Sequence, residues 1–213
     1  MKSIFFLILF LSLPVINAQV ISEYGIKIGI ANSKMNIVNK TGNIYVGFQS
    51  LFAERRAAGT FGIFLNMFKN EYFDLQNELM YHEEGAEDKI LVTTVDNPDG
   101  IDEGLTWDHE YDFLKYNLNV RPSYPIEESY IYLIIGPSIN YLLKARDFFY
   151  YDQELKNFYF GYNAGLGFTL RGLIDCSLLM EIKYNGYFDD FVNNQNVKAA
   201  MESWQINIGL GIK

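Results

Sequence analysis

Residues 204–213 read Trp204-Gln205-Ile206-Asn207-Ile208-Gly209-Leu210-Gly211-Ile212-Lys213. Trp204, Ile206, Ile208, Leu210 and Ile212 alternate strictly with Gln205, Asn207, Gly209, Gly211 and Lys213. A period of two is the signature of a β-strand whose faces meet different surroundings. Near the other end of the chain Tyr24, Ile26, Ile28 and Ile30 are set against Gly25, Lys27, Gly29 and Ala31. The two stretches share one pattern, as closure of a sheet on itself requires.

Between them the alternation predicts six further strands, at about 60–68, 71–83, 110–121, 129–143, 157–170 and 175–187. The sixth of the eight carries Phe158, Phe160, Tyr162, Ala164, Leu166, Phe168 and Leu170 on one face. The seventh sets Leu178, Met180, Ile182 and Tyr184 against Ser177, Leu179, Glu181, Lys183 and Asn185. The links Lys69–Asn70, Pro122–Glu128 and Arg171–Ile174 are short, whereas 34–59, 84–109, 144–156 and 188–202 are long. Long and short links alternate, the asymmetry of a membrane barrel with short turns at one rim and long external loops at the other. Ile44–Phe52 alternates briefly and reads either as an extra segment of the first loop or as an upward extension of the second strand.

The cost of burying charge decides which face meets lipid. A charge at the bilayer midplane costs about 2–4 kcal/mol, so the apolar set points outward. Lys27, Glu78, Lys115, Arg121, Glu181 and Lys183 then point inward and are the candidate lumen charge network. Tyr24, Tyr81, Tyr116, Tyr141, Tyr162, Tyr184 and Trp204 fall on the outer face, several near strand ends where amphipathic rings favour the interface. A lipocalin-like carrier would reverse the two faces.

Composition agrees with an exported all-β chain. Met1-Lys2-Ser3, the apolar run Ile4–Leu13 and Ile16-Asn17-Ala18 have the layout of a secretory signal peptide, so residues 1–18 are expected to be removed and 19–213 to form one barrel domain. No later stretch nears the roughly 18 consecutive apolar residues of a spanning helix. The net charge of −9 supplies no basic patch for nucleic acid phosphates. Cys176 is the one cysteine, which excludes an internal disulfide, and it reads as a small apolar residue on a strand face.

Taken together, these stretches resemble the small porin-like outer-membrane β-barrel family of Gram-negative bacteria. The matching residues are Gly25-Ile26-Lys27-Ile28-Gly29-Ile30-Ala31-Asn32-Ser33, Phe73-Asp74-Leu75-Gln76-Asn77-Glu78-Leu79-Met80-Tyr81, Gly136-Pro137-Ser138-Ile139-Asn140-Tyr141-Leu142-Leu143, Asn163-Ala164-Gly165-Leu166-Gly167-Phe168 and Gln205-Ile206-Asn207-Ile208-Gly209-Leu210-Gly211. The resemblance implies an eight-stranded antiparallel up-and-down barrel in the outer membrane and brings no catalytic residue.

Eight strands enclose a space that side chains fill. Inward Gly25, Gly29, Gly161, Gly165, Gly167, Gly209 and Gly211 leave room for Tyr130, Tyr132 and Tyr159, and buried charges must be paired, so an internal ion-pair network is expected, with Glu78 and Lys115 at similar heights. His82 and His109, the only histidines, fall on neighbouring strands where they would approach each other above the membrane near Glu83, Glu84, Asp108 and Glu110, a candidate metal or pH-sensing site that lacks a ligand motif such as HExxH. Asp96-Asn97-Pro98-Asp99-Gly100-Ile101-Asp102-Glu103 matches a calcium loop only in part. There is no G-x-S-x-G elbow, so no enzyme and no cofactor is expected. The leading reading is a monomeric, non-enzymatic outer-membrane barrel that meets lipid with its walls and an extracellular or envelope protein with its loops. A narrow porin or solute channel is the second reading, and a soluble lipocalin-like carrier the third.

Overall fold

The computed structural model describes residues 21–39, 54–70, 72–94, 97–146, 155–171, 176–193 and 197–213, with the backbone alone for 37–39, 54, 88–107, 171, 192–193 and 197–198. The expected signal peptide and the Ile44–Phe52 segment lie outside the described residues.

The strands are β1 (Ile21–Asn39), β2 (Glu54–Met67), β3 (Phe73–Thr94), β4 (Asn97–Ile126), β5 (Ser129–Arg146), β6 (Phe158–Arg171), β7 (Cys176–Tyr187), the two-residue β8 (Val192–Asn193) and β9 (Val197–Ile212). Each long strand pairs antiparallel with its chain neighbours, and β9 pairs with both β7 and β1. The sheet is therefore a closed barrel of eight long strands, and β8 is a short flap on the upper end of β9. Closure matters physically because hydrocarbon offers no partner to an open strand edge.

The seam joins the two stretches that showed the pattern first. Ile26 faces Leu210, Ile28 faces Ile208 and Ile30 faces Ile206 across it. Those six side chains are 50–62 % exposed, as are their counterparts round the wall, Ile63, Ile135, Phe160, Leu166 and Ile182. Lys27, Glu78, Lys115, Arg121, Glu181 and Lys183 are at most 3 % exposed. An apolar exterior around a charged interior suits hydrocarbon and would be unstable in water, so the lipocalin-like arrangement is excluded.

Two expectations are corrected. Residues 84–109 are no open loop: β3 and β4 continue upward as one ladder from Glu84↔Tyr111 to Thr94↔Asn97. Pairing of β2 with β3 stops at Glu54↔Glu87, and pairing of β4 with β5 stops at Glu110↔Arg146, so beyond that level the hairpin is two-stranded among the described residues. The link expected at Pro122–Glu128 is a two-residue turn at Glu127–Glu128, because β4 runs on to Ile126. The ladder with β3 ends at Phe73↔Pro122, followed by a bond from the Ser123 N–H to the Tyr72 carbonyl at 2.6 Å, so Pro122 and Pro125 stand at the end of that ladder, where a missing donor is tolerated. Cys176 lies on the outward face of β7 at the rim of the short turns and is exposed there.

The two faces give a depth test. Ile28→Lys or Ile208→Lys, near the middle of the wall, should each lose about 2–4 kcal/mol, and Asn32→Lys, above the apolar band, about 0–1 kcal/mol. Denaturant unfolding of vesicle-refolded protein, followed by tryptophan fluorescence, measures the difference. Equal losses at the two depths would show the wall to be wrongly placed.

Candidate functional site: the filled lumen

Strand parity decides what enters the lumen. On β3 the even positions Asp74, Gln76, Glu78, Met80, His82 and Glu84 all point inward and are buried, stacked from the lower rim to the upper. Each neighbouring strand contributes a similar inward row, so the interior is built in layers.

The lowest layer holds Glu23, which accepts a hydrogen bond from Asn66 at 2.8 Å and another from the Ser177 hydroxyl. Asn66 Oδ1 accepts from Gln76 at 2.9 Å, and Gln76 Oε1 accepts from the Lys27 ammonium at 2.9 Å. A continuous chain of hydrogen bonds thus links the floor to the centre. Beside it Arg121 holds Asp74 through two parallel bonds of 2.6 and 2.7 Å, the fork geometry that guanidinium and carboxylate share. The Arg121 guanidinium also lies 4.5 Å from the centre of the Tyr132 ring. Gly167 makes this possible, since a Cβ there would collide with that ring.

In the central layer Lys27 pairs with Glu78 and sits 2.7 Å from Glu181. Lys183 reaches Glu78 at 2.8 Å and Glu181 at 3.7 Å. Glu78 also accepts from Asn117 at 3.0 Å and Asn119 at 3.1 Å, and Glu181 from the Tyr132 hydroxyl at 2.9 Å. Three cations (Lys27, Arg121, Lys183) therefore face three carboxylates (Asp74, Glu78, Glu181) in a neutral, hydrogen-bonded block. Unpaired, each of these charges would cost several kcal/mol in such a setting.

Lys115 stands apart from that block. It faces Met80 and Asn140 in the ladder, not Glu78, and its ammonium lies 5.9 Å from the centre of the Tyr187 ring. It forms no ion pair among the described residues, so the expected partnership of Lys115 with Glu78 is replaced by those of Lys27 and Lys183. The two-residue offset in register is the cause: Glu78 faces Asn117.

Above the charges, Glu84 accepts from Ser203 at 2.7 Å and from the Tyr187 hydroxyl, and its Oε1 lies 2.9 Å from His82 Nε2. His82 faces Phe113 whereas His109 faces Ala86, so the two histidines are four positions apart along the ladder, and both are buried. Their expected convergence above the membrane is not what the structure holds, and no cluster with metal-ligand composition occurs among the described residues. The side chains of the 97–103 stretch lie outside the described ones.

An apolar lid closes the upper end. Tyr111, Phe113, Tyr159 and Phe191 pack with ring centroids 4.5–6.2 Å apart, flanked by Met35, Ala86, Ala199, Met201 and Tyr187. Edge-on and tilted contacts of this kind add to the gain from burying the rings. Asp74 was not singled out as a lumen residue in the sequence, yet it shares the parity of Glu78. Parity was the signal that could have found it.

No protein-family model matches the chain, and no curated protein matches it in sequence. Solved structures do match in fold. The outer membrane protein OprG of Pseudomonas aeruginosa is 12 % identical over 91 % of this chain and 96 % of its own, with a TM-score of 0.51. Neisserial surface protein A is 13 % identical over 90 % and 99 %, with a TM-score of 0.49. The attachment invasion locus protein Ail of Yersinia pestis, solved with the heparin analogue sucrose octasulfate, is 14 % identical over 89 % and 98 %, with a TM-score of 0.41. This chain has the fold of the eight-stranded outer-membrane barrels.

The pairing scheme sets an order of mutational cost. Glu78→Ala leaves Lys27 and Lys183 to share one carboxylate and should cost about 3–5 kcal/mol. Lys115→Met breaks no ion pair and should cost far less. Urea unfolding in lipid vesicles reads both, and equal losses would return Lys115 to the network.

Proposed function

We propose that this chain is a closed, non-enzymatic outer-membrane barrel that acts through the surface it raises outside the membrane. On this reading the barrel is an anchor and the external segments bind an extracellular or envelope partner. The observation that carries it is the lumen, filled from Glu23 at the floor to the Tyr111–Phe191 lid by paired charges, amides and packed rings. A solute crossing it would have to displace both the ion-pair block and the lid. The β3–β4 hairpin supports the same reading, because it carries backbone well beyond the last pairing with β2 and β5.

A narrow solute channel is the second reading, and one side of the lumen favours it. Asn119, Asn140, Asn163 and Asn185 each leave a buried side-chain oxygen without a hydrogen-bond partner, all on the wall formed by β4 to β7. Unsatisfied buried acceptors call for water or solute.

Planar-bilayer recording of the refolded full chain separates the two. The anchor reading expects no reproducible unitary current from the wild type. Unitary currents that vanish on replacing Lys115 or Glu181 would overturn it in favour of the channel. The complementary binding test shortens the hairpin by joining Glu87 to Asp108 through a two-glycine turn. Adhesion of cells to immobilised extracellular or envelope protein should fall at least fivefold while the barrel keeps its heat-modifiable migration; unchanged adhesion would remove the hairpin from the proposal.

A further inference from the structure

Pro137 faces outward on β5 between the exposed Ile135 and Ile139, inside the apolar band, and Pro122 lies lower on β4. In an antiparallel ladder every second pair exchanges two N–H···O bonds, and proline has no N–H to give. Two positions to either side of Val120↔Ile135, Leu118 stands opposite Pro137 and Pro122 opposite Leu133. The β4–β5 pairing accordingly runs down to Asn117↔Ser138, skips Leu118/Pro137 and Asn119/Gly136, and returns at Val120↔Ile135 alone. It then skips Arg121/Ile134 and Pro122/Leu133 and resumes at Ser123↔Tyr132. The carbonyls of Leu118 and Leu133 thereby lose the donors of a regular ladder. On their far sides the two strands keep their pairs with β3 and β6 at these levels. The irregularities of the other wall ladders fall at the rims, between Ile21 and Glu23 below and between Arg55 and Thr60 above. Among the described residues this slit is therefore the one break inside the band.

The lumen side of the slit carries unpartnered polar atoms of both kinds. Asn119 Oδ1, Asn163 Oδ1 and Arg121 Nη1 are buried without a hydrogen bond. A Cβ at position 136 would collide with the Leu118 carbonyl oxygen and stand 2.8 Å from Asn119 Oδ1, so Gly136 lets both oxygens approach one spot. Asn163 faces Gly136 from β6, and its amide reaches Asn117 Oδ1 on β4 at 3.5 Å, which carries its side chain across β5. Arg121 gives its Nε and Nη2 to Asp74, and its Nη1 lies 3.8 Å from Glu181, beyond hydrogen-bond reach.

We propose that this slit is a water-binding site: internal water, held between Arg121 Nη1 and the oxygens of Asn119, Asn163 and Leu118, takes the place of the bonds that proline removes. The mixture of one guanidinium donor with several acceptors selects the occupant. A metal cation would meet the charge of Arg121, an anion would meet three oxygens, and a hydrocarbon chain would satisfy neither. Water accepts from the donor and gives its hydrogens to the oxygens, the two to four bonds that a buried water needs. Backbone carbonyls at membrane depth are tolerated when they have such a partner on the lumen side. A seam joined through water also opens more readily than one joined by backbone bonds. The inference is independent of whether the loops bind or the lumen conducts, since a local water cluster needs no path through the barrel.

The test uses the full chain refolded in phosphatidylcholine bilayers and water-edited solid-state NMR. In the wild type, polarisation transfer from water to the Asn119 side-chain amide and the Arg121 guanidinium should be at least threefold stronger than to the side-chain amide of Gln76. Gln76 is equally buried but hydrogen-bonded through both its oxygen and its nitrogen. Equal transfer to all three overturns the site. Asn119 signals that shift when sodium chloride is replaced by caesium chloride or sodium bromide overturn water in favour of an ion.

Amide hydrogen exchange supplies a second reading. The Val120 and Ile135 amides should exchange at least tenfold faster than those of Ile28 and Ile208, which pair across the unbroken β1–β9 seam. Equal protection of the two pairs in the wild type overturns the proposal, and this comparison needs no variant. Pro137→Ala returns the missing N–H and should slow exchange at Val120 and Ile135 at least tenfold while leaving Ile28 and Ile208 unchanged. Unaltered exchange at Val120 and Ile135 in Pro137→Ala overturns it as well.

Discussion

The structure depends on one constraint: a strand that crosses hydrocarbon directs half of its side chains into a sealed cylinder, where every polar group needs a partner. Eight strands leave a space too narrow for bulk water to serve as that partner. For its central charges the chain meets the requirement with a neutral block of three cations and three carboxylates, joined to neighbouring amides and hydroxyls. The pairs contribute more by avoiding the cost of unpaired charge than by mutual attraction. They also couple distant strands, since Lys27 on β1 meets Glu78 on β3 and Glu181 on β7. The block therefore crosses the barrel as well as filling it.

The same constraint shapes the exterior. Hydrocarbon accepts apolar side chains of any shape, so the outer wall is under no demand for complementarity and can carry ridges and hollows. Where a polar side chain does occur there, as at Asn77, it is satisfied by its own neighbours. Toward the upper end Glu83 and Glu110 flank the buried Arg56 at 2.5 and 2.7 Å, whereas Lys34 meets Glu202 at 3.0 Å in a partly exposed pair of the kind that adds little stability.

That change of surroundings explains where the sequence could be read and where it could not. Within the bilayer the two faces of a strand meet opposite media, and the alternation of Trp204 to Lys213 or of Tyr24 to Ala31 follows directly. Beyond Glu87 and Glu110 the hairpin leaves its neighbouring strands, so no pair of opposed media enforces the alternation there. Residues 84–109, with Glu83-Glu84-Gly85 at one end and Asn97-Pro98-Asp99-Gly100 inside, look like a loop for that reason although their backbone continues the ladder. In the same way Pro122 and Pro125 suggested a turn, because the sequence does not reveal that β4 keeps its pairing with β5 down to Ile126↔Ser129.

By itself the sequence determined the period of the strands, the face turned to lipid and the set of residues consigned to the lumen, because each follows from the cost of placing a side chain in one medium or another. Only the tertiary structure decided which charges meet. Lys115 and Glu78 lie on adjacent strands, yet a two-residue offset gives Glu78 to Lys27 and Lys183, which come from strands remote in the chain. It also decided that His82 joins Glu84 and not His109. Pairing across a closed cylinder depends on register and curvature summed over several strands, and no local pattern of residues encodes that sum.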